Sequence, residues 1–221
     1  HAAANRMLAA EGLPGLPLAT IRSFIGNGIP VLVERIIAAT ALDPEEHDRL
    51  VAGFLSDYQV HATELTRPYP DVETVLAALK QAGFSLAVCT NKPEAPALGI
   101  LRDLGLAHLL DALAGGDGPT RPKPDPSGLN ALRDRLGRGP VLYVGDSEVD
   151  AETARNAAVP FVLFTEGYRK RPARDIPHTV SFSRYRDLQK LVAPLFEASN
   201  RGDQGDFGGG GGTGSLARRE K

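Results

Sequence analysis

Apolar residues in the first third of the chain recur at helical spacing. An alanine-rich stretch covers residues 1–11, and an apolar stripe with helical intervals runs from residue 30 to 39. Asp43, followed by a proline and two glutamates, predicts a helix start, because the aspartate can cap the helix and the acids face its positive end. The apolar face that follows, from Leu50 to Tyr58, predicts one long helix.

Beyond residue 67 the pattern becomes an alternation of strands and helices. Two prolines, Pro68 and Pro70, interrupt the helical pattern and mark a boundary. Short apolar runs predict strands at residues 84–89, 112–114, 141–144, 161–164 and 179–182. Amphipathic stretches predict helices capped by Asp71, through residues 98–104, from Pro126, at 148–158 and at 186–197. Such alternation is typical of a parallel sheet covered by helices on both faces.

The last segment, residues 199–221, has almost no apolar side chains. It contains five consecutive glycines, Gly208–Gly212, and a charged end. Such a segment cannot bury enough apolar surface to offset the entropy lost on ordering, so we expect a disordered tail. The glycine run also lacks the strand, helix and lysine that flank a phosphate-binding loop. The sequence thus predicts a helical part (1–67), an α/β part (68–198) and a tail (199–221).

Composition and charge exclude several classes of function. The formal charge of −2 provides no field for binding nucleic acid or an anionic membrane. No apolar run reaches the roughly eighteen residues of a membrane-spanning helix. The single cysteine, Cys89, cannot form an internal disulfide, which fits a reducing, cytoplasmic location. Whether the protein is a monomer or a homodimer stays open.

Polar clusters follow the predicted strands, at the edge where open parallel sheets bind ligands. The first cluster, Thr90 and Asn91, comes directly after the strand at 84–89. Its hydroxyl and amide can donate hydrogen bonds to phosphate oxygens, or can serve only a turn at the end of the strand. A second cluster places Lys123 between two prolines, which restrict the backbone on both sides. A fixed cation there suits a phosphoryl group, although a solvated lysine in a surface turn is the alternative.

The third cluster runs from Gly145 to Asp150, after the strand at 141–144. The glycine permits a tight turn that crowds carboxylates at the edge of the sheet. One or two of these carboxylates suffice for Mg²⁺, which prefers oxygen ligands and keeps some of its water. The alternative is that Asp146 or Ser147 caps the next helix, with acids in its first turn. Capping alone leaves the preceding buried strand and the glycine unexplained.

Thr90, Lys123 and Asp146, in this order and spacing, resemble the haloacid dehalogenase (HAD) superfamily. Thr90 matches its second motif, Lys123 its third, and Asp146 with Asp150 its fourth. A closer similarity to the phosphoglycolate phosphatase family is carried by PYPDVETVLAALKQAGFSLAVCTNKP, RPKPDP and VLYVGDSEVDAETARNAAVPFVLFTEGYR. A further segment, IRSFIGNGIPVLVERII, resembles the cap of that family. The resemblance covers about residues 1–197.

The resemblance implies a Rossmann-like α/β core in three layers with a helical cap. It also implies a hydrolase of carbohydrate metabolism, which cleaves 2-phosphoglycolate with Mg²⁺ through an aspartyl-phosphate intermediate. Phosphosugar mutases, pyrophosphatases and nucleotidases share the core residues, so these activities stay open. A dehalogenase is disfavoured, because carbon–halogen chemistry needs no metal.

The same resemblance assigns a role to each core candidate. Asp146 would bind the metal, and Asp150 would complete or support the metal site. Thr90 and Asn91 would bind the phosphoryl group, while Lys123 would hold the phosphate and the nucleophile together.

The cap would close over the site, where Arg22, Gly26 and Asn27 are candidates for contacting the far end of a small phosphorylated metabolite. An exposed arginine and a helix-breaking turn explain these three residues equally well.

The first motif of the family has no counterpart in this sequence. That motif, Asp-x-Asp-x-Thr at the end of the first core strand, supplies the nucleophile, and no Asp-x-Asp occurs among the 221 residues. In the family this strand lies between the strands that end at Thr90 and Gly145, so both would lose ladder hydrogen bonds and buried apolar contacts. We therefore expect a truncated phosphatase that is inactive and of low stability. The alternative is a non-catalytic protein that binds phosphate or a partner.

Overall fold

A computed structural model of the chain describes residues 1–137 and 139–203, with only the backbone from residue 197 onwards. The first helices are α1 (Ala2–Ala10), α2 (Leu18–Phe24), α3 (Ile29–Ala38) and, after a 3₁₀ turn at Pro44–Glu46, α4 (His47–His61). The strands are β1 (Ala87–Cys89), β2 (Ala112–Ala114), β3 (Tyr143–Gly145), β4 (Phe161–Phe164) and β5 (Val180–Phe182). The helices around them are α5 (Val72–Gln81), α6 (Glu94–Asp103), α7 (Ser127–Leu136), α8 (Glu148–Asn156) and α9 (Tyr185–Asp203).

The last helix extends further than the sequence predicts. It continues through residues 199–203, which the sequence pattern assigns to the tail. The remaining tail, with its glycine run, lies outside the described residues. Among the helices that the structure describes, none is both long and apolar enough to cross a bilayer.

Helices α1–α4 pack around a hydrophobic cluster of their own. Leu8, Val33, Ile36 and Leu50 are buried at its centre, and among the described residues none beyond Tyr58 belongs to it. Full burial of one such side chain contributes about 1.5–3 kcal/mol. The predicted helical first part is therefore confirmed, with the addition of α2, while the boundary at residue 67 remains a prediction.

The strands form two separate parallel sheets. One sheet pairs β1 with β2, and the other has the order β3-β4-β5. Within the described ranges no ladder hydrogen bond connects β1 to β3, although the Tyr143 hydroxyl lies 3.5 Å from the Cys89 carbonyl oxygen. The α/β class with parallel strands is confirmed. The family resemblance puts a further strand between the unpaired edges of β1 and β3.

Two local predictions need correction. Asp71 does not cap α5, because its backbone is left-handed with a φ of 68° and its carboxylate accepts a hydrogen bond from Arg186 instead. A capping residue needs an extended backbone for its side chain to reach the first amide groups. The strand predicted at 84–89 pairs only over β1, because the Leu86 amide donates to the Asp111 carboxylate at 2.8 Å.

Candidate active site

Two of the three predicted polar clusters, Lys123 and the turn at 145–150, line one cavity at the carboxyl ends of the strands, and Cys89, which precedes Thr90 and Asn91, lines it as well. The cavity has a volume of about 230 Å³ and opens where β1, β3 and β4 end. Its lining residues are Tyr69, Cys89, Lys123, Tyr143, Val144, Gly145, Asp146, Asp150, Phe164 and Tyr185. Lys123, Asp146 and Asp150 are therefore brought together as the sequence predicts.

Asn91 holds Lys123 in place. The Asn91 Oδ1 atom accepts a hydrogen bond from the Lys123 amide at 2.6 Å, and its Nδ2 donates to the Lys123 carbonyl at 3.0 Å. The carboxamide is thus occupied by the backbone of the loop that carries the lysine. This contact makes Asn91 a support for Lys123, and its predicted role in binding phosphate remains a prediction.

Lys123 and Asp150 form a nearly buried ion pair. The Lys123 Nζ atom lies 2.7 Å from Asp150 Oδ1, with 16% and 6% of the two side chains exposed. The Tyr143 hydroxyl donates to the same Oδ1 at 3.0 Å and accepts from Nζ at 3.2 Å. Burial alone would raise the pKa of Asp150, but the Lys123 charge and the hydrogen bonds of Lys123 and Ser147 outweigh it, so that pKa lies below its ordinary value. Asp150 is held in its charged form.

The second oxygen of Asp150 organises the turn after β3. Asp150 Oδ2 accepts hydrogen bonds from the amides of Asp146 and Ser147, at 3.1 and 3.2 Å, and from the Ser147 hydroxyl at 2.7 Å. Ser147 is the N-cap of α8 and forms a capping box with Asp150. Gly145 is required here because a Cβ atom would overlap the Asp150 side chain. Capping therefore does explain part of this cluster, as the alternative interpretation suggested.

Asp146 uses only one of its carboxylate oxygens in a hydrogen bond with the described residues. Its Oδ2 accepts a hydrogen bond from the Tyr168 amide at 2.8 Å, and its Oδ1 has no hydrogen-bond partner among residues 1–137 and 139–203. Burial raises the pKa of Asp146, and the charge of Asp150 adds to this rise, whereas the hydrogen bond from Tyr168 opposes it. A half-buried carboxylate gains charge stabilisation by binding a cation.

The predicted Mg²⁺ fits this turn only with ligands from elsewhere. Within the part of the chain that the structure describes, no group of three His, Cys, Asp or Glu side chains could hold a metal ion. Mg²⁺ often takes one or two carboxylates and fills its other positions with water and phosphate oxygens. Asp146 suits that arrangement through Oδ1. Both oxygens of Asp150 already accept hydrogen bonds, so its geometry favours support of the Asp146 turn over direct ligation.

Thr90 and Cys89 lie at the end of β1. The Thr90 hydroxyl accepts a hydrogen bond from the Lys92 amide at 3.1 Å, which leaves its own hydrogen free to donate to a phosphate oxygen. Burial raises the pKa of the Cys89 thiol, and the nearby Lys123 charge only partly opposes this rise. Cys89 is therefore a protonated thiol at neutral pH and lacks the activation of a nucleophilic cysteine.

Two cations connect the cap helices to the core. Arg22 on α2 donates to the Gly167 carbonyl at 2.8 Å, and its guanidinium lies 5.3 Å from the centre of the Tyr168 ring. Lys92, on the core, donates to the Tyr58 hydroxyl of α4 at 2.9 Å. Arg22, predicted to contact the substrate, thus binds the core in this structure.

The turn before α3 lies close to the site. Asn27 Oδ1 accepts a hydrogen bond from Arg35 at 3.0 Å, so its side chain is held within the cap. A Cβ atom added to Gly26 would meet no atom within 4 Å, whereas one added to Gly28 would lie 3.9 Å from the Asn91 carbonyl oxygen. The turn therefore approaches the loop that carries Asn91. Substrate contacts of Gly26 and Asn27 remain predictions.

Sequence reasoning did not identify Tyr143, Gly167 or Tyr168 as site residues. Tyr143 stands inside an apolar strand, where an aromatic residue normally indicates core. Gly167 must be glycine because a Cβ atom there would overlap the Asp146 carboxylate, a constraint between segments far apart in sequence. The sequence signal that could have identified this loop is the pair Gly167 and Tyr168, a glycine and an aromatic residue shortly after β4.

Comparison with known proteins identifies the family of the chain. The family model of haloacid dehalogenase-like hydrolases matches residues 1–158. A phosphoglycolate phosphatase of Cereibacter sphaeroides (strain ATCC 17025 / ATH 2.4.3) is 46% identical over 197 residues, which cover 88% of this chain and 90% of that protein. One from Rhodobacter capsulatus is 42% identical over 195 residues, covering 87% and 88% of the two chains. The crystal structure of a predicted phosphoglycolate phosphatase from Haemophilus somnus 129PT superposes with a TM-score of 0.80 at 31% identity, covering 86% of this chain and 88% of that one. The chain belongs to the haloacid dehalogenase-like hydrolase family.

Proposed function

We propose that this protein is built as an Mg²⁺-dependent phosphatase of 2-phosphoglycolate. The observation that carries the proposal is the convergence of Lys123, Asp146 and Asp150 on one cavity at the ends of parallel strands. The relatives from Cereibacter sphaeroides and Rhodobacter capsulatus, both described as phosphoglycolate phosphatases, support this choice of substrate.

Each core residue has a distinct part in binding the phosphoryl group. Lys123, fixed by Asn91 and Asp150, presents its ammonium to the phosphate oxygens. Thr90 donates its hydroxyl hydrogen to another oxygen. Asp146 would hold Mg²⁺, and the ion would supply neutralisation of the phosphate charge. Asp150 holds the Asp146 turn and the Lys123 side chain in position, and it makes no contact with the substrate.

The cap restricts the site to small esters and limits its exposure to bulk solvent. Arg22 and Lys92 dock the cap helices on the core, and the turn at 26–28 approaches the phosphate-binding loop. A lid in that position encloses the ester and limits the access of bulk solvent, while the reaction still consumes one water molecule for each phosphate released. A small metabolite such as 2-phosphoglycolate fits this arrangement better than a polymer.

The attacking carboxylate is neither Asp146 nor Asp150. The Asp150 carboxylate accepts hydrogen bonds from five donor atoms, one of which is Lys123 Nζ. Asp146 is assigned to the metal. We therefore propose that the 221-residue chain binds the ester without cleaving it. An aspartate from an added strand between β1 and β3 would supply the nucleophile for an aspartyl-phosphate intermediate.

The test compares two forms of the protein with 2-phosphoglycolate and Mg²⁺. The 221-residue chain should bind the ester in a calorimetric titration, lose that binding with EDTA and release no phosphate. The same chain, extended at its N-terminus by an apolar strand ending in Asp-x-Asp-x-Thr, should release phosphate, and an Asn-x-Asn extension is the matched control. Phosphate release that is equal with both extensions would contradict the proposed nucleophile.

Two alternatives predict other outcomes of the same experiment. Faster turnover of a sugar phosphate, a nucleotide or pyrophosphate would assign a different member of the same enzyme class. Ester binding with no turnover in either form would favour the non-catalytic protein. That second candidate is supported by the engagement of both oxygens of Asp150.

A further inference from the structure

One peptide group connects the cap to Asp146. Its N–H, which belongs to Tyr168, donates to Asp146 Oδ2 at 2.8 Å. Its carbonyl, which belongs to Gly167, accepts a hydrogen bond from Arg22 Nη2 at 2.8 Å. Because a peptide group is planar, the two hydrogen bonds are made by opposite ends of one rigid unit. A cap cation and a core carboxylate are thus joined through a single amide.

The loop that carries this peptide is fixed to the core on its far side. Glu148 Oε1 accepts hydrogen bonds from the amides of Lys170 and Arg171 at 2.8 and 2.6 Å. By contrast, among the described residues Arg22 is the only hydrogen-bond donor to the Gly167 carbonyl. Glycine tolerates a wide range of backbone angles, so this peptide can rotate if the carbonyl loses its partner. Its orientation therefore depends on Arg22 at the carbonyl and on Asp146 at the N–H.

We propose that Arg22 is a positioning residue for Asp146 and acts through the Gly167–Tyr168 peptide. A cation at the carbonyl polarises the amide and strengthens the hydrogen bond from its N–H to Asp146 Oδ2. With Oδ2 held, Oδ1 keeps one orientation towards a bound cation. When the cap leaves, the peptide can turn and Asp146 loses the contact that orients it.

Cap docking and cation binding at Asp146 are then linked. Each increases the affinity of the other by the same factor, because linkage between two binding events is reciprocal. This consequence rests on the proposed role of Asp146 as a metal ligand. It assigns Arg22 a role distinct from contact with the substrate.

The first experiment measures the affinity of the 221-residue chain for Mn²⁺, a spectroscopically visible substitute for Mg²⁺. Arg22→Gln should weaken Mn²⁺ binding about five- to tenfold, at the low end of typical coupling. Arg22→Lys, which keeps one charged donor, should recover part of that loss. The matched control is Arg35→Gln, since in the described part of the chain Arg35 donates only to Phe24 and Asn27, both within the cap. Equal affinities of the wild type and Arg22→Gln would overturn the linkage.

A second experiment needs no metal. Hydrogen exchange at the Tyr168 amide reports the bond to Asp146 directly. Arg22→Gln should accelerate exchange at Tyr168 but not at Lys170, whose amide is held by Glu148, and Arg35→Gln should change neither. Unchanged exchange at Tyr168 in Arg22→Gln would overturn the positioning role. If the wild type binds no Mn²⁺ but Arg22→Gln still accelerates this exchange, the positioning role stands and the metal assignment of Asp146 fails.

Discussion

The carboxamide of Asn91 is hydrogen-bonded at both ends to the backbone of Lys123. Its Oδ1 accepts from the Lys123 amide at 2.6 Å, and its Nδ2 donates to the Lys123 carbonyl at 3.0 Å. The loop after β1 thereby sets the position of a lysine that lies 32 positions later in the chain. Prolines limit the conformations of the Lys123 loop, but Asn91 selects the one that faces the cavity.

Loss of the Asn91 side chain should therefore destabilise the core. Asn91→Ala leaves both Lys123 backbone groups without a partner in a half-buried loop, at a cost of about 1–3 kcal/mol. Urea unfolding should show a lower free energy of unfolding for Asn91→Ala. The exposed Asn130 on α7 is the control, and Asn130→Ala should change stability by less than about 0.5 kcal/mol. An Asn91→Ala value as small as the control's would show that the two bonds contribute little.

Lys123→Met should be more destabilising. The substitution leaves the Asp150 carboxylate, only 6% exposed, without its counterion. Breaking a buried ion pair by removing one partner costs about 3–5 kcal/mol. The measurement is again urea unfolding, with Lys190→Met at an exposed position of α9 as the control. A loss below about 1 kcal/mol, the range of exposed pairs, would mean that water screens this pair.

Ser147→Ala should weaken the start of α8. Its hydroxyl accepts a hydrogen bond from the Asp150 amide and donates one to Asp150 Oδ2 at 2.7 Å. Loss of an N-cap hydroxyl costs about 0.5–2 kcal/mol. Ser147→Thr keeps the hydroxyl and should retain most of the stability. Equal thermal unfolding of both variants and the wild type would contradict the capping role.

Gly167→Ala should disturb the site, whereas Gly53→Ala should not. A Cβ atom at Gly167 would overlap the Asp146 carboxylate, and overpacking of this kind costs about 1–3 kcal/mol. A Cβ atom at Gly53, inside α4, meets nothing within 4 Å. Because alanine favours a helix interior over glycine, Gly53→Ala should stabilise the protein by about 0.5–1 kcal/mol. Thermal unfolding should show a lower midpoint temperature than wild type for Gly167→Ala and a higher one for Gly53→Ala.

The Arg6–Asp57 pair should make cap stability depend on pH. The hydrogen bond from Arg6 lowers the pKa of Asp57 below its ordinary value. Stabilisation by this pair is thus complete above the unfolded value of about 3.9 and is lost as the pH falls through the folded value. Asp57→Asn should lower the urea midpoint at pH 7, by less than Lys123→Met because both partners are partly exposed. The midpoint difference from wild type should shrink below pH 3.9, and a difference that grows there would have the wrong sign.

Local patterns accounted for much of the secondary structure. The strand at 161–164 is predicted to the residue and a strand is expected near 112–114, since each is a short apolar run, and the structure confirms both. The strand predicted at 141–144 is shifted to Tyr143–Gly145, because parallel pairing with β4 sets its register. Asp71 also departs from its predicted capping role, since its partner Arg186 is 115 positions away. Predictions failed where a partner from another part of the chain decided the outcome.

The sequence by itself determined the α/β class, the helical first part and the three polar clusters at strand ends. These depend on apolar periodicity and on contiguous motifs, which are local properties of the chain. Only the tertiary structure decided that Asn91 supports Lys123, that both oxygens of Asp150 are occupied and that Arg22 reaches Gly167. Each of these polar groups has many potential partners, and the one it meets is set by packing between segments as far as 145 positions apart.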